Sequence, residues 1–125
     1  MALTIRVSPD DASGHTVRVS PTGSLDSVTA PALERELAPI LNGAATVLVL
    51  DLTGLAFMSS AGIRVILTAR KRLAARGGTV LLASPQPQVA KAFDIIRALP
   101  DLALFKSVAE LDEHLVALRR NARGA

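Results

Sequence analysis

Residues 46–50 of this 125-residue chain read Thr-Val-Leu-Val-Leu, a β-branched and aliphatic run with no polar alternation inside it. A strand of that kind is buried on both faces, so it belongs in the middle of a sheet. The run is short, and Asp51 and Gly54 follow it before the next apolar cluster, so it is not a membrane span. The segments around it must then supply helices and further strands. Residues 4–7 and 16–20 alternate apolar with polar side chains and are separated by the turn formers Pro9, Asp10, Asp11, Ser13 and Gly14, which predicts an antiparallel hairpin. Residues 28–41 carry Leu33, Leu37, Ile40 and Leu41 at helical spacing and stop at Asn42-Gly43.

From Ser60 onward Ile63, Ile66, Leu67, Leu73 and Ala74 recur at helical intervals, with Arg64, Thr68, Lys71 and Arg72 opposite, until Gly77-Gly78 ends the segment. Residues 79–83 read as a second buried strand. Residues 88–99 read as a helix with Val89, Phe93, Ile96 and Leu99 on its apolar face and Pro100 as its stop. A short strand at 102–105 precedes Ser107-Val108-Ala109-Glu110, whose spacing suits a capping box opening a last helix with Leu111, Leu115 and Leu118 inward. The expected architecture is α/β: a mixed sheet with an N-terminal hairpin and about four packed α-helices, in one domain over residues 1–120. Residues 121–125 are expected to form a short flexible C-terminal tail.

Composition narrows the function. Half of the residues are apolar, only three are aromatic (Phe57, Phe93, Phe105), and Trp, Tyr and Cys are absent. Such a chain lacks the aromatic platforms on which single-stranded nucleic acids stack. It also has no thiolate for nucleophilic or metal chemistry. The net charge is +3, but the cations gather at two predicted helix ends, Arg70, Lys71, Arg72 and Arg76 in one and Arg119, Arg120 and Arg123 in the other, where they complement the helix dipole. No nucleic-acid contact is needed to explain them. The first residues carry no signal-peptide pattern and no apolar run reaches spanning length, so a soluble cytoplasmic protein is expected.

In α/β sheets, ligands and partners meet the loops at the C-terminal ends of the strands. The stretch from Asp51 to Gly62 leads from the central strand into the second long helix and places two hydroxyls, Ser59 and Ser60, at the helix start. Either could cap the helix. A phosphoryl group on either would instead meet the positive end of the helix dipole and add about −1.5 to −2 charge beside the apolar residues Leu55, Phe57 and Met58. Hydrolase chemistry finds no support: there is no Gly-x-Ser-x-Gly elbow, and His15 and His114 lie in a turn and in the last helix. Two lone histidines make no metal site, and no cofactor motif is present. Asp51 follows a strand and Asp26 follows Gly23-Ser24-Leu25, so each could serve either as a turn residue or at the same surface.

The run Val49-Leu50-Asp51-Leu52-Thr53-Gly54-Leu55-Ala56-Phe57-Met58-Ser59-Ser60-Ala61-Gly62-Ile63 resembles the signature of STAS-domain anti-sigma factor antagonists. Gly23-Ser24-Leu25-Asp26 before the first helix, Gly77-Gly78 before a strand, and Gln86-Pro87-Gln88-Val89 followed by Phe93-Asp94-Ile95 extend the likeness over almost the whole chain. The resemblance implies a non-enzymatic partner switch. The unphosphorylated antagonist would bind an anti-sigma factor that is also a serine kinase of the GHKL type, freeing a sigma factor. Phosphorylation would separate the pair, and a PP2C-type phosphatase would reset it. By position the phosphoacceptor would be Ser60, with Ser59 second; Ser59 stands where many members have Asp, and Ala61 replaces a second Ser found in some. The implied partner surface comprises Asp26, Asp51, Leu55, Phe57, Met58, Ser59, Ala61, Gly62 and Ile63. The alternative is a STAS interaction module that works without phosphorylation, as a scaffold or transporter-associated subunit.

Overall fold

The computed structural model describes residues 2–10, 14–94 and 102–124. Strands β1 (Leu3–Pro9) and β2 (Thr16–Leu25) form the expected antiparallel hairpin, with Val7 opposite Val19. On its other side β2 runs parallel to β3 (Val47–Asp51) and, further along, parallel to β4 (Leu55–Met58). β3 pairs with β5 (Thr79–Ala83), and β5 with β6 (Leu102–Phe105), all parallel, giving the order β1-β2-β3-β5-β6 with β4 attached to β2. The run that suggested a central strand is central: Leu48, Val49 and Leu50 are each at most 1% exposed.

Helices α1 (Ala30–Asn42), α2 (Ser60–Ala74) and α3 (Pro87–Phe93) pack on one face of the sheet, where Leu33, Leu37, Leu48, Leu50, Ile66, Leu73, Leu82 and Phe93 share a core. Helix α4 (Val108–Gly124) covers the other face through Leu111 and Leu115 against Val49, Leu81 and Ala83. Each fully buried Leu contributes about 1.5–3 kcal/mol of transfer free energy. Arg18 fastens α4 to the hairpin, its Nε donating to Asp10 at 2.9 Å and its Nη2 to Asp112 at 2.9 Å.

Several elements depart from the sequence expectation. β2 continues past Ser20 through Pro21 and Gly23. Pro21 is tolerated because pairing with β3 stops at Val19 and pairing with β4 begins at Gly23, so the missing N–H falls in the gap. Gly23 has φ +112°, and a Cβ there would lie 2.2 Å from the carbonyl oxygen of Ala2. The inward face of α2 is Gly62, Val65, Ile66, Ala69 and Leu73, turned so that the small residues touch the sheet and Ile63 and Leu67 sit at the margin. Leu118 is 39% exposed because α4, at about 1.5 Å per residue, outruns the strands of four and five residues beneath it. The last helix extends to Gly124, since Asn121-Ala122-Arg123 contains no helix breaker. α3 is described to Phe93; the expected Ile96 and Leu99 contacts, the Pro100 stop, and the turn residues Asp11 and Ser13 lie outside the described residues.

Candidate functional site

The C-terminal ends of β2, β3, β4 and β5 bring together the loops that the sequence singled out. Beyond Asp51 the chain stays in register for one more bond, Leu52 N–H donating to the Ala83 carbonyl at 2.9 Å, then turns so that Leu55 N–H reaches the Leu52 carbonyl at 3.0 Å. Gly54 lets this turn lie close against β2. A Cβ there would sit 2.8 Å from Thr22 Oγ1, and the Gly54 carbonyl accepts from Gly23 N–H at 3.0 Å. The stretch expected to be one loop therefore contains a strand, β4. Its pairing with β2 is bulged: Gly23 faces Leu55 and Ser24 faces Phe57, leaving Ala56 as the extra residue. The bulge resets the alternation so that Leu55 and Met58, three residues apart, both point inward while Ala56 and Phe57 are exposed.

Ser59 N–H donates to the Leu25 carbonyl at 2.8 Å, prolonging the β2–β4 pairing by one residue, and the chain then enters α2 with Ser59 as N-cap (φ −92°, ψ 175°). The first intrahelical bond runs from Ile63 N–H to the Ser59 carbonyl at 3.1 Å. The N–H groups of Ser60, Ala61 and Gly62 are the orphan donors of the helix start, and no side chain caps them. The capping role open to either serine is thus not exercised. Ser59 Oγ is buried with no hydrogen-bond partner among the described residues, as is Ser24 Oγ. Ser60, one residue on, is exposed.

Asp26 and Asp51 organise the flanking turns. Asp26 Oδ1 accepts the N–H groups of Val28 (2.9 Å) and Thr29 (3.0 Å) and the Thr29 hydroxyl (3.2 Å), while Asp26 N–H donates back to Thr29 Oγ1 at 2.9 Å. These bonds, the Thr29 backbone N–H foremost, hold its carboxyl below the usual carboxylate range. Asp51 Oδ1 accepts the N–H (3.1 Å) and hydroxyl (2.6 Å) of Thr53, and Gln86 at the start of α3 donates its amide to the Thr53 carbonyl at 3.0 Å.

Of the expected partner residues, the structure brings Asp26, Asp51, Phe57, Ser59, Ala61 and Ile63 to one edge, exposed or half-buried, around Ser60. Leu55 (0% exposed), Met58 (8%) and Gly62 are corrected to the interior: they carry the edge from below and cannot touch a partner. A Cβ on Gly62 would come within 2.7 Å of Leu25 and 3.0 Å of Met58, so the glycine sets how closely α2 crosses the sheet. Sequence reasoning missed Val28, which is 84% exposed at the tip of the Asp26 turn, and the roles of Thr29, Thr53 and Gln86. The Asp-x-x-Thr spacing of Asp26 and Thr29 was a legible sign of a reciprocal cap that detaches Val28 from the helix. His15 lies at the opposite end of the sheet, its carbonyl accepting from Thr46 and Val47, and His114 packs on Phe105 at 5.0 Å on the α4 face. Among the described residues no helix is long and apolar enough to cross a membrane.

Comparison with known proteins places this geometry. The STAS domain family matches residues 8–111. A protein of Bordetella bronchiseptica described as a candidate anti-sigma factor antagonist, BtrV, is 38% identical over 73 residues, which are 58% of this chain; the match spans 63% of that relative's length. Among solved structures, an anti-sigma factor antagonist from Mycobacterium paratuberculosis superimposes with a TM-score of 0.78 at 24% identity, over 94% of this chain and 95% of the other. The anti-sigma factor antagonist SpoIIAA in its unphosphorylated form gives 0.76 at 22% identity, over 91% and 97%. Its Bacillus phosphorylated form gives 0.71 at 22% identity, over 90% and 99%. At these identities the structural likeness speaks to the fold.

Proposed function

The chain belongs to the STAS domain family, and from that premise we propose that it is an anti-sigma factor antagonist switched by phosphorylation of Ser60. The observation that carries this reading is the contrast between two adjacent hydroxyls: Ser60 is exposed at the first position of α2, whereas Ser59 Oγ is buried. A kinase can reach the first without disturbing the fold. The names of BtrV and of SpoIIAA, the latter solved with and without phosphate, point the same way. The unphosphorylated edge, with Phe57, Ile63 and Val28 reaching the surface around Ser60, suits an apolar contact with an anti-sigma factor that is also a GHKL-type serine kinase. Binding there releases the sigma factor. A phosphoryl on Ser60 brings about −1.5 to −2 charge and its hydration into that contact, which separates the pair. A PP2C-type phosphatase then restores the binding form. The chain acts in the cytoplasm by binding, with no catalysis of its own.

Incubation of the protein with its cognate kinase and ATP is expected to yield one phosphate per chain, absent from Ser60→Ala and retained in Ser59→Ala. Phosphate persisting in Ser60→Ala overturns the site. Stable kinase binding with no phosphate transfer favours a STAS scaffold that works without modification.

A further inference from the structure

Arg64 lies four residues after Ser60, one turn along the same face of α2. Its side chain is exposed and makes no ion pair among the described residues, and the next polar neighbour on that face, Thr68, spends its hydroxyl on the Arg64 carbonyl at 3.0 Å. Three other guanidiniums are committed: Arg18 to Asp10 and Asp112, Arg72 to the side chain of Asn42, Arg76 to the carbonyls of Gly43 and Ile40. Asp26 follows directly on Leu25, whose carbonyl receives Ser59 N–H. A phosphoryl at Ser60 would thus have, one turn ahead on its own helix, a guanidinium with no ion pair among the described residues.

We infer that Arg64 is the internal counter-ion of phosphorylated Ser60, its guanidinium forming a two-pronged pair with the phosphoryl oxygens. The inference rests on Ser60 being the acceptor. A planar guanidinium matches two phosphoryl oxygens at once, and side chains four apart on a helix are neighbours. The pairing changes the partner surface in two ways. It adds the phosphoryl and withdraws a cation that stands one turn from Ser60, so a partner that reads Arg64 in the unmodified form loses it at the moment of phosphorylation. Arg64 is a positioning residue: it orients the phosphoryl along α2 and away from the Asp26 turn.

The test places phosphoserine at residue 60 by translational incorporation, which needs no kinase, and follows its second ionisation by phosphorus NMR titration in the wild-type background, in Arg64→Gln and in Arg64→Lys. The ionisation lies near pH 6 for a free phosphoserine. Pairing with Arg64 is expected to lower it, so that Arg64→Gln raises it by roughly 0.3–0.7 pH units and Arg64→Lys by less. The difference should shrink in 1 M salt, where the Debye length is about 3 Å. Coincident titrations of the wild-type background and Arg64→Gln overturn the counter-ion. Failure of the kinase to label Ser60 overturns the acceptor assignment instead, and the two results are read from separate samples.

Discussion

At the scale of single residues, adjacency conceals opposite environments. Ser59 and Ser60 are the same amino acid in consecutive positions, yet one is the last residue held by β2 and the other the first of α2, so one hydroxyl turns in and the other out. Gly62 shows how such a junction is kept. An alanine in mid-helix ordinarily gains about 1 kcal/mol over glycine. Here its Cβ would press on Leu25 and Met58, and overpacking of this kind costs about 1–3 kcal/mol. Gly62→Ala is therefore expected to lower the urea midpoint, and an unchanged or raised midpoint would show that α2 can lift off without cost. Asp26 gives the residue-scale pH dependence. Its carboxyl titrates below its usual value because the Thr29 and Val28 N–H groups favour the ionised form, so its stabilisation is present above the unfolded value of about 3.9 and fades as pH falls through the lower folded value. Between about pH 6 and about pH 3 the wild-type chain should lose more stability than Asp26→Asn, measured by thermal unfolding. Equal losses would mean that the turn holds without its charge.

At the scale of elements, the feature with most consequence is β4. Four residues, bulged at Ala56, convert what looks like a loop into an edge that buries Leu55 and Met58 and shows Phe57. The helix ends follow a second rule: the cations at the end of α2 serve a neighbour as well as their own helix. α1 has no basic residue in its last turn, and Arg76 supplies the missing partner by donating to the Gly43 carbonyl at 2.7 Å and the Ile40 carbonyl at 3.3 Å. Arg72 assists through Asn42. Arg76→Ala is expected to cost about 0.5–1 kcal/mol in urea unfolding, an amount reduced by solvent screening at this exposed site. Arg76→Lys should recover part of it. A loss confined to low salt would assign the effect to the dipole alone.

At the scale of the whole molecule, the sheet divides the work. One face holds three helices over the larger core, the other holds α4, and the four strand ends present the candidate site where both layers stop. The net charge of +3 belongs mostly to this scaffold, and one phosphorylation would reduce it to about +1. Much of this was legible beforehand. The aliphatic run at 46–50 specified a buried central strand, the alternation in residues 4–7 and 16–20 specified the hairpin, and the spacing of Leu33, Leu37, Ile40 and Leu41 specified α1, because periodicity records which side of an element is dry. The pair of serines at the start of α2 was legible for the same local reason. What sequence could not decide was which of Leu55, Phe57 and Met58 meets solvent, since a bulge depends on the partner strand and breaks the alternation it interrupts. Nor could it decide which serine keeps its hydroxyl in water, or that Asp26 and Asp51 tie their own turns while Arg64 makes no ion pair among the described residues. Local spacing determined the elements and their dry faces; long-range pairing, between residues tens of positions apart, decided which atoms the site exposes.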